Sequence, residues 1–143
     1  MQYFLPSRKT LSALYQAPNV QLPEGGSPLH ESFSFNPLGV MDVQDQTRVF
    51  NSDSVIWGLA GSFNGAGVFV QITHFHGSKT RDFFSSFRPL DSVAGNGQKP
   101  FLLPAPYAVA AGDSIQVIVK SLDKVNNQVV EVVLYANEVQ PAS

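Results

Sequence analysis

Ile115-Gln116-Val117-Ile118-Val119-Lys120 and, one short turn later, Val129-Val130-Glu131-Val132-Val133-Leu134-Tyr135 decide the fold. Side chains of an extended chain point alternately to its two sides. Ile115, Val117 and Val119 therefore share one side, and Gln116, Ile118 and Lys120 the other. Val130, Val132 and Leu134 share a side in the same way, opposite Val129, Glu131, Val133 and Tyr135. β-branched residues at period two read as strands half buried on a core.

The same period extends toward the N-terminus. Val68, Val70 and Ile72 alternate with Phe69, Gln71 and Thr73. Val55, Trp57 and Leu59 alternate with Ile56, Gly58 and Ala60, and Trp57 is expected in the core. Phe33 and Phe35 alternate with Ser32 and Ser34. From about Leu29 onward no helical period competes.

Turn residues separate the runs. Gly61 to Gly67 reads as a hairpin turn, Gly95-Asn96-Gly97 breaks a long connection, Ala111-Gly112-Asp113 leads into a strand, and Asp123 to Asn127 reads as a second hairpin. Short strands at such spacing predict an all-β chain: a jelly-roll or Greek-key sandwich of about seven or eight antiparallel strands over residues 29–143.

One stretch departs from the pattern. Lys99 to Tyr107 holds Pro100, Pro104 and Pro106, which have no amide to donate to a ladder. It predicts an edge segment or a crossover whose apolar residues close the open end of the sandwich. A proline-rich docking motif is the functional alternative.

Residues 1–28 also differ. They carry Pro6, Pro18, Pro23 and Pro28 and Gly25-Gly26, which favour an extended arm. Lys9 to Gln16 would give only about two helical turns, too few to stand alone. The arm is apolar nonetheless, with Tyr3, Phe4, Leu5, Leu11, Leu14 and Tyr15. Such side chains need cover. A neighbouring subunit or the chain's own domain would supply it, and the neighbour is the expected site.

Composition narrows the function. The chain of 143 residues has 9 basic and 11 acidic side chains, a net charge of −2 and no cysteine. No basic patch marks a nucleic-acid partner. Thiolate nucleophiles and cysteine zinc sites are absent, and no apolar run is long enough for a membrane-spanning helix. The order of charges near Met1 does not fit a signal peptide. Charged residues are 14% of the chain, which suits either a surface partly covered by partners or simply the low Lys and Glu content of a β-sandwich.

A search for chemistry returns little. His74 and His76 share a strand face, and Glu31 or Asp82 is a formal third metal ligand. Two histidines are an incomplete set, and they are read as ordinary surface or half-buried residues; His30 is isolated and is read as a surface residue. Asp42, Asp45 and Asp53 lack the spacing of a calcium loop and read as a solvated one. Gly61, Gly65 and Gly67 lack the Lys-Ser/Thr of a phosphate loop. No catalytic residue, metal or cofactor is assigned. Phe83, Phe84 and Phe87, between Arg81 and Arg88, remain as aromatic anchors. Strand alternation would turn at least one of them outward or onto a subunit contact, unless a strand buried on both faces absorbs all three.

Arg48-Val49-Phe50-Asn51-Ser52-Asp53-Ser54-Val55-Ile56-Trp57-Gly58-Leu59-Ala60-Gly61 resembles a pattern of small tailed-bacteriophage structural proteins: a phenylalanine, an acidic stretch, then a strand with small residues. Here the acidic stretch is Asp53 alone. Pro104 to Ile115 resembles their proline-rich lead-in to a strand, and Ile115 to Leu122 and Gln128 to Val139 match the strands that follow. The likeness spans about residues 30–140. It implies a jelly-roll virion component: a capsid cement or decoration protein, or a neck, tail or fibre subunit. It further implies a homodimer or homotrimer on the major capsid protein, at the capsid surface of particles assembled in the host cytoplasm, with the arm clamping adjacent subunits. The rival class is a carbohydrate-binding sandwich that stacks sugars on Trp57, Tyr107 or the Phe83–Phe87 stretch.

Overall fold

A computed structural model of the chain describes residues 27–96 and 99–139. The described residues form nine strands: β1 Ser27–Leu38, β2 Val43–Val49, β3 Ser54–Phe63, β4 Val68–His76, β5 Lys79–Asp82, β6 Arg88–Pro89, β7 Phe101–Val109, β8 Ser114–Ser121 and β9 Gln128–Glu138. A single turn of helix, α1, spans Leu90–Val93. The chain is all-β, as its alternation predicts. β1 begins at Ser27, just ahead of the expected onset at Leu29.

The strands form two antiparallel sheets. One has the order β1-β9-β3-β7, the other β2-β8-β4-β5, with β6 also paired to β4. Read as pairs, β1 lies with β9, β2 with β8, β3 with β7 and β4 with β5. The chain is thus one long antiparallel ribbon folded over on itself, the winding of a jelly roll.

That winding corrects two readings of the turns. Gly61–Gly67 joins β3 to β4, and Asp123–Asn127 joins β8 to β9. Each pair is split between the two sheets, so neither turn closes a hairpin. A turn signal marks a reversal of the chain; it does not say whether the strands it joins are the ones that pair. The tight hairpin is β4–β5, where Gly77-Ser78 turns between His76 and Lys79 and Gly77 takes φ 59°.

The core lies between the sheets. Phe33, Phe35, Val68, Val70, Ile72, Ile115, Val117, Val119, Val130, Val132 and Leu134 are all buried there, on the faces their alternation predicts. Truncating one of these phenylalanines to alanine costs about 3–5 kcal/mol. β3 departs from the expected parity. Its pairing slips between Ile56 and Gly58, and the bulge sends Ile56 and Leu59 inward and Trp57 and Ala60 outward. Trp57 is buried, as expected, but in a second cluster with Ala60, Val133 and Tyr135, outside the inter-sheet core.

Edge strands expose unpaired backbone groups and need protection. At the β1/β2 edge, side chains of β2 reach over to β1. The Gln46 amide donates to the Ser34 carbonyl, the Gln44 amide to that of Pro37, and the Arg48 guanidinium to that of Ser32. Arg48 also lies 5.2 Å over the Phe33 ring. At the opposite edge β7 carries Pro104 and Pro106, so the proline-rich stretch is an edge strand, paired to β3 at both its ends. Leu103 and Tyr107 turn inward onto the core, closing that side.

Candidate functional site

β8 is bracketed by two buried aspartates, and each organises one end of the sandwich. Asp113 precedes the strand and Asp123 follows it.

At the first end, β4 brings His74 and His76 out beyond Ile72 on the core-facing side, beside the β7–β8 turn. The His74 Nε2–H donates to Asp113 Oδ2 at 2.7 Å, and the His76 Nδ1–H donates to Oδ1 at 2.6 Å. The Ala110 N–H donates to the same carboxylate at 3.0 Å. Burial pushes the Asp113 carboxyl up, but these three hydrogen bonds outweigh it and leave it below its ordinary range. The other His74 nitrogen, Nδ1, is 2.8 Å from the Tyr107 hydroxyl. Burial, with Asp113 adding to it and Arg81 opposing, raises the Tyr107 phenol above 10.0. The Asp113 carboxylate only accepts, so the neutral His74 ring carries its proton on Nε2 and its Nδ1 accepts from the Tyr107 hydroxyl.

Tyr107 is half-buried among three side chains. Phe83 lies 4.6 Å from its ring, His74 meets it edge-on at 5.3 Å, and the Arg81 guanidinium sits over it at 5.6 Å. Two open clefts, of about 530 and 390 Å³, flank the cluster and share His74, His76 and Ala108 as a wall.

Both histidines spend a nitrogen on Asp113, which sits between them rather than beside them. Among the described residues no group of three or more potential ligands converges on one point. Asp82, the formal third ligand, instead accepts a hydrogen bond from Thr73. His30, read as an isolated surface residue, is half-buried with its ring edge-on to Tyr135. The three loop aspartates are not one loop: Asp42 braces the β1–β2 turn, Asp45 lies within β2, and Asp53 precedes β3.

At the other end, Asp123 accepts hydrogen bonds from the backbone amides of Ala66, Val125 and Asn126. Those bonds hold its carboxyl below the ordinary range against the effect of burial. The Met41 N–H donates to the Asp123 carbonyl at 3.0 Å, so the β1–β2 and β8–β9 turns lie side by side. Asp42 accepts from Gly39 and Val43. The frame is polar and well satisfied, yet what it presents is apolar. Val40, Met41, Val43 and Val125 are exposed by 44, 47, 53 and 79%. Met41 also stands at φ 52°, a region that side chains other than those of glycine, asparagine and aspartate rarely adopt.

The aromatic anchors are not on a strand. After β5 the chain bends through residues 83–87, clamped by Gln71, whose amide donates to the Phe84 carbonyl and whose oxygen accepts from the Phe84 N–H. Alternation does not govern a bend. Phe83 and Phe84 both lean on the core, and Phe87 faces solvent. The arm residues Tyr3, Phe4, Leu5, Leu11, Leu14 and Tyr15 lie outside the described residues. The apolar end has no single local signal because its members come from the β1–β2 turn, the start of β2 and the β8–β9 turn, far apart in the chain. Val125 inside the polar turn Asp123–Asn127 marks only one part of it. Comparison with known protein families found no match, and comparison with curated proteins found none.

Proposed function

We propose that this protein is a structural component of a virion, of the capsid cement or decoration type. In this reading it binds the major capsid protein as a homodimer or homotrimer and stabilises the shell. The observation that carries the proposal is the apolar end at Val40, Met41, Val43 and Val125. Exposed apolar clusters on a polar frame mark protein contacts. This one is held in place: Asp42 and Asp123 fix the two turns, and Met41 is kept in a costly backbone conformation that points its side chain outward. Phe87 and Phe101 of β7 are exposed apolar side chains elsewhere on the surface.

Two further observations favour assembly over the rival readings. The titratable cluster at the opposite end turns its donors on itself, as befits a structural brace. Trp57 is buried, which removes it as a platform for sugar stacking.

Electron microscopy of particles carrying and lacking the protein tests the proposal. Density repeating over the shell supports cement, and density at one vertex moves the assignment to neck or tail. Met41→Asp with Val125→Asp should abolish incorporation while leaving the melting transition in place. Full incorporation of that variant would defeat the proposal.

A further inference from the structure

The β4–β5 hairpin sets four basic side chains on one face. His74 stands opposite Arg81 and His76 opposite Lys79, and residues opposite each other in an antiparallel pair point to the same side. The two pairs lie one pleat apart, about 6.6 Å along the strands. The tight turn at Gly77-Ser78 closes the hairpin just beyond them, so the backbone sets that spacing.

The four groups are not used alike. His74 engages both ring nitrogens, one with Asp113 and one with the Tyr107 hydroxyl, and His76 engages Nδ1 with Asp113. Lys79 and Arg81 are exposed, and among the described residues neither makes a hydrogen bond or an ion pair. Arg81 is held in position all the same. Its guanidinium lies 5.6 Å over the Tyr107 ring, and that ring is fixed in turn by His74 and Phe83. A guanidinium stacked on an aromatic face keeps its N–H fork free for an acceptor.

These cations open on the larger cleft, about 530 Å³, a volume suited to a small molecule. β4 and β5 bring His76, Lys79 and Arg81 to its wall, and β7 brings Pro106, Tyr107 and Ala108. Among the described residues that line it there is no carboxylate. Asp113 and Asp53 line the smaller cleft instead. In a chain of net charge −2, unmatched cations in a concave wall select an anion.

A carboxylate satisfies one arginine fork. A phosphoryl dianion carries three acceptor oxygens and the charge to match two cations one pleat apart. We propose that this cleft binds a small organic phosphate, with Lys79 and Arg81 holding the phosphoryl group and Pro106 and Ala108 receiving the body attached to it. The His74–Asp113–Tyr107 brace then supports the site by fixing the ring on which Arg81 lies. The inference goes beyond the proposed function and does not rest on it.

Titration of the full chain with phenyl phosphate, followed by amide NMR, tests the proposal. Saturable shifts are expected at Thr80, Arg81 and Ala108, and none at Ala66 and Val125 at the far end. Inorganic phosphate should bind more weakly because it leaves the apolar wall unfilled, and benzoate because one carboxylate cannot use both cations. Lys79→Gln and Arg81→Gln should each lower the affinity for phenyl phosphate about fivefold, the loss of one charged contact at an exposed site. Lys124→Gln, at the opposite end, should leave it unchanged. The melting curve of Lys79→Gln should match that of the native chain, which separates lost binding from lost folding. Absence of saturable shifts, or full affinity in Lys79→Gln with Arg81→Gln, would overturn the site. Benzoate binding as tightly as phenyl phosphate would overturn the phosphoryl assignment, and inorganic phosphate doing so would overturn the role of the apolar wall.

Discussion

The two ends of β8 use the same residue differently. Asp113 is held by two imidazoles and one backbone amide; Asp123 is held by three backbone amides. The first arrangement ties strands together through side chains and leaves clefts beside it. The second fixes the shape of two turns and pushes apolar side chains into solvent. A carboxylate bound by side chains can be weakened one partner at a time, whereas one bound by amides fails only as a unit. The comparison therefore predicts graded effects at the histidine end and an abrupt one at the apolar end.

The largest effect is expected from Asp123→Ala. It strips the acceptor from three amides in two connections at once, the β3–β4 turn and the β8–β9 turn. It should give the greatest fall in Tm of the series and disorder the apolar end, which amide exchange at Ala66, Val125 and Asn126 would register. Asp113→Ala should cost about 3 kcal/mol, since it leaves the shielded His74 Nε2–H and the Ala110 N–H without an acceptor. If chemical denaturation ranks Asp113→Ala as the more damaging, the two ends do not differ as argued.

Acid weakens both ends together. Each carboxyl is held below its ordinary 3.8 in the folded chain, so the unfolded chain takes up protons first. The stabilisation is fully present above that value and is lost as pH falls through the folded-state values. Tm should hold steady down to about pH 5 as far as these two groups are concerned, then drop. Asp113→Asn and Asp123→Asn should each flatten the drop, and a melting series across pH would show whether they do so additively. Additive flattening is expected, because the two groups sit at opposite ends of a strand.

Within the histidine end the partners are unequal. His74 is 12% exposed in its side chain and also meets Tyr107, while His76 is 62% exposed. His74→Ala should cost about 2 kcal/mol, through lost hydrogen bonds and lost packing on Tyr107. His76→Ala should cost no more than about 0.5 kcal/mol, since water replaces its contact. Equal losses in urea titration would mean that exposure does not decide the strength of these contacts.

Much of the sandwich was legible because burial on one face forces period two, and Phe33, Phe35, Val70, Ile72, Val117 and Val132 obey it. β3 was not, because one added residue at Trp57 reverses parity and leaves no mark in the residue types. Pairing was not either, since a turn at Gly61–Gly67 looks alike whether it closes a hairpin or passes between sheets. The His74–His76 pair was visible, but Asp113 reaches it only through the winding that lays β8 beside β4. The apolar end depends on a backbone angle at Met41, and a methionine carries no sequence signal for that.

Met41 offers the smallest effect and the one of opposite sign. Its φ of 52° strains a methionine but suits glycine. Met41→Gly should relieve that strain, offset in part by the extra freedom of glycine in the unfolded chain, for a net gain of up to about 1 kcal/mol. The side chain is 47% exposed, so little packing is lost with it. A raised Tm together with weakened incorporation into particles would mean that stability is given up here to present the side chain. A lowered Tm would mean that Met41 is held by contacts within its own chain, and the apolar end would lose its best argument as a surface kept for a partner.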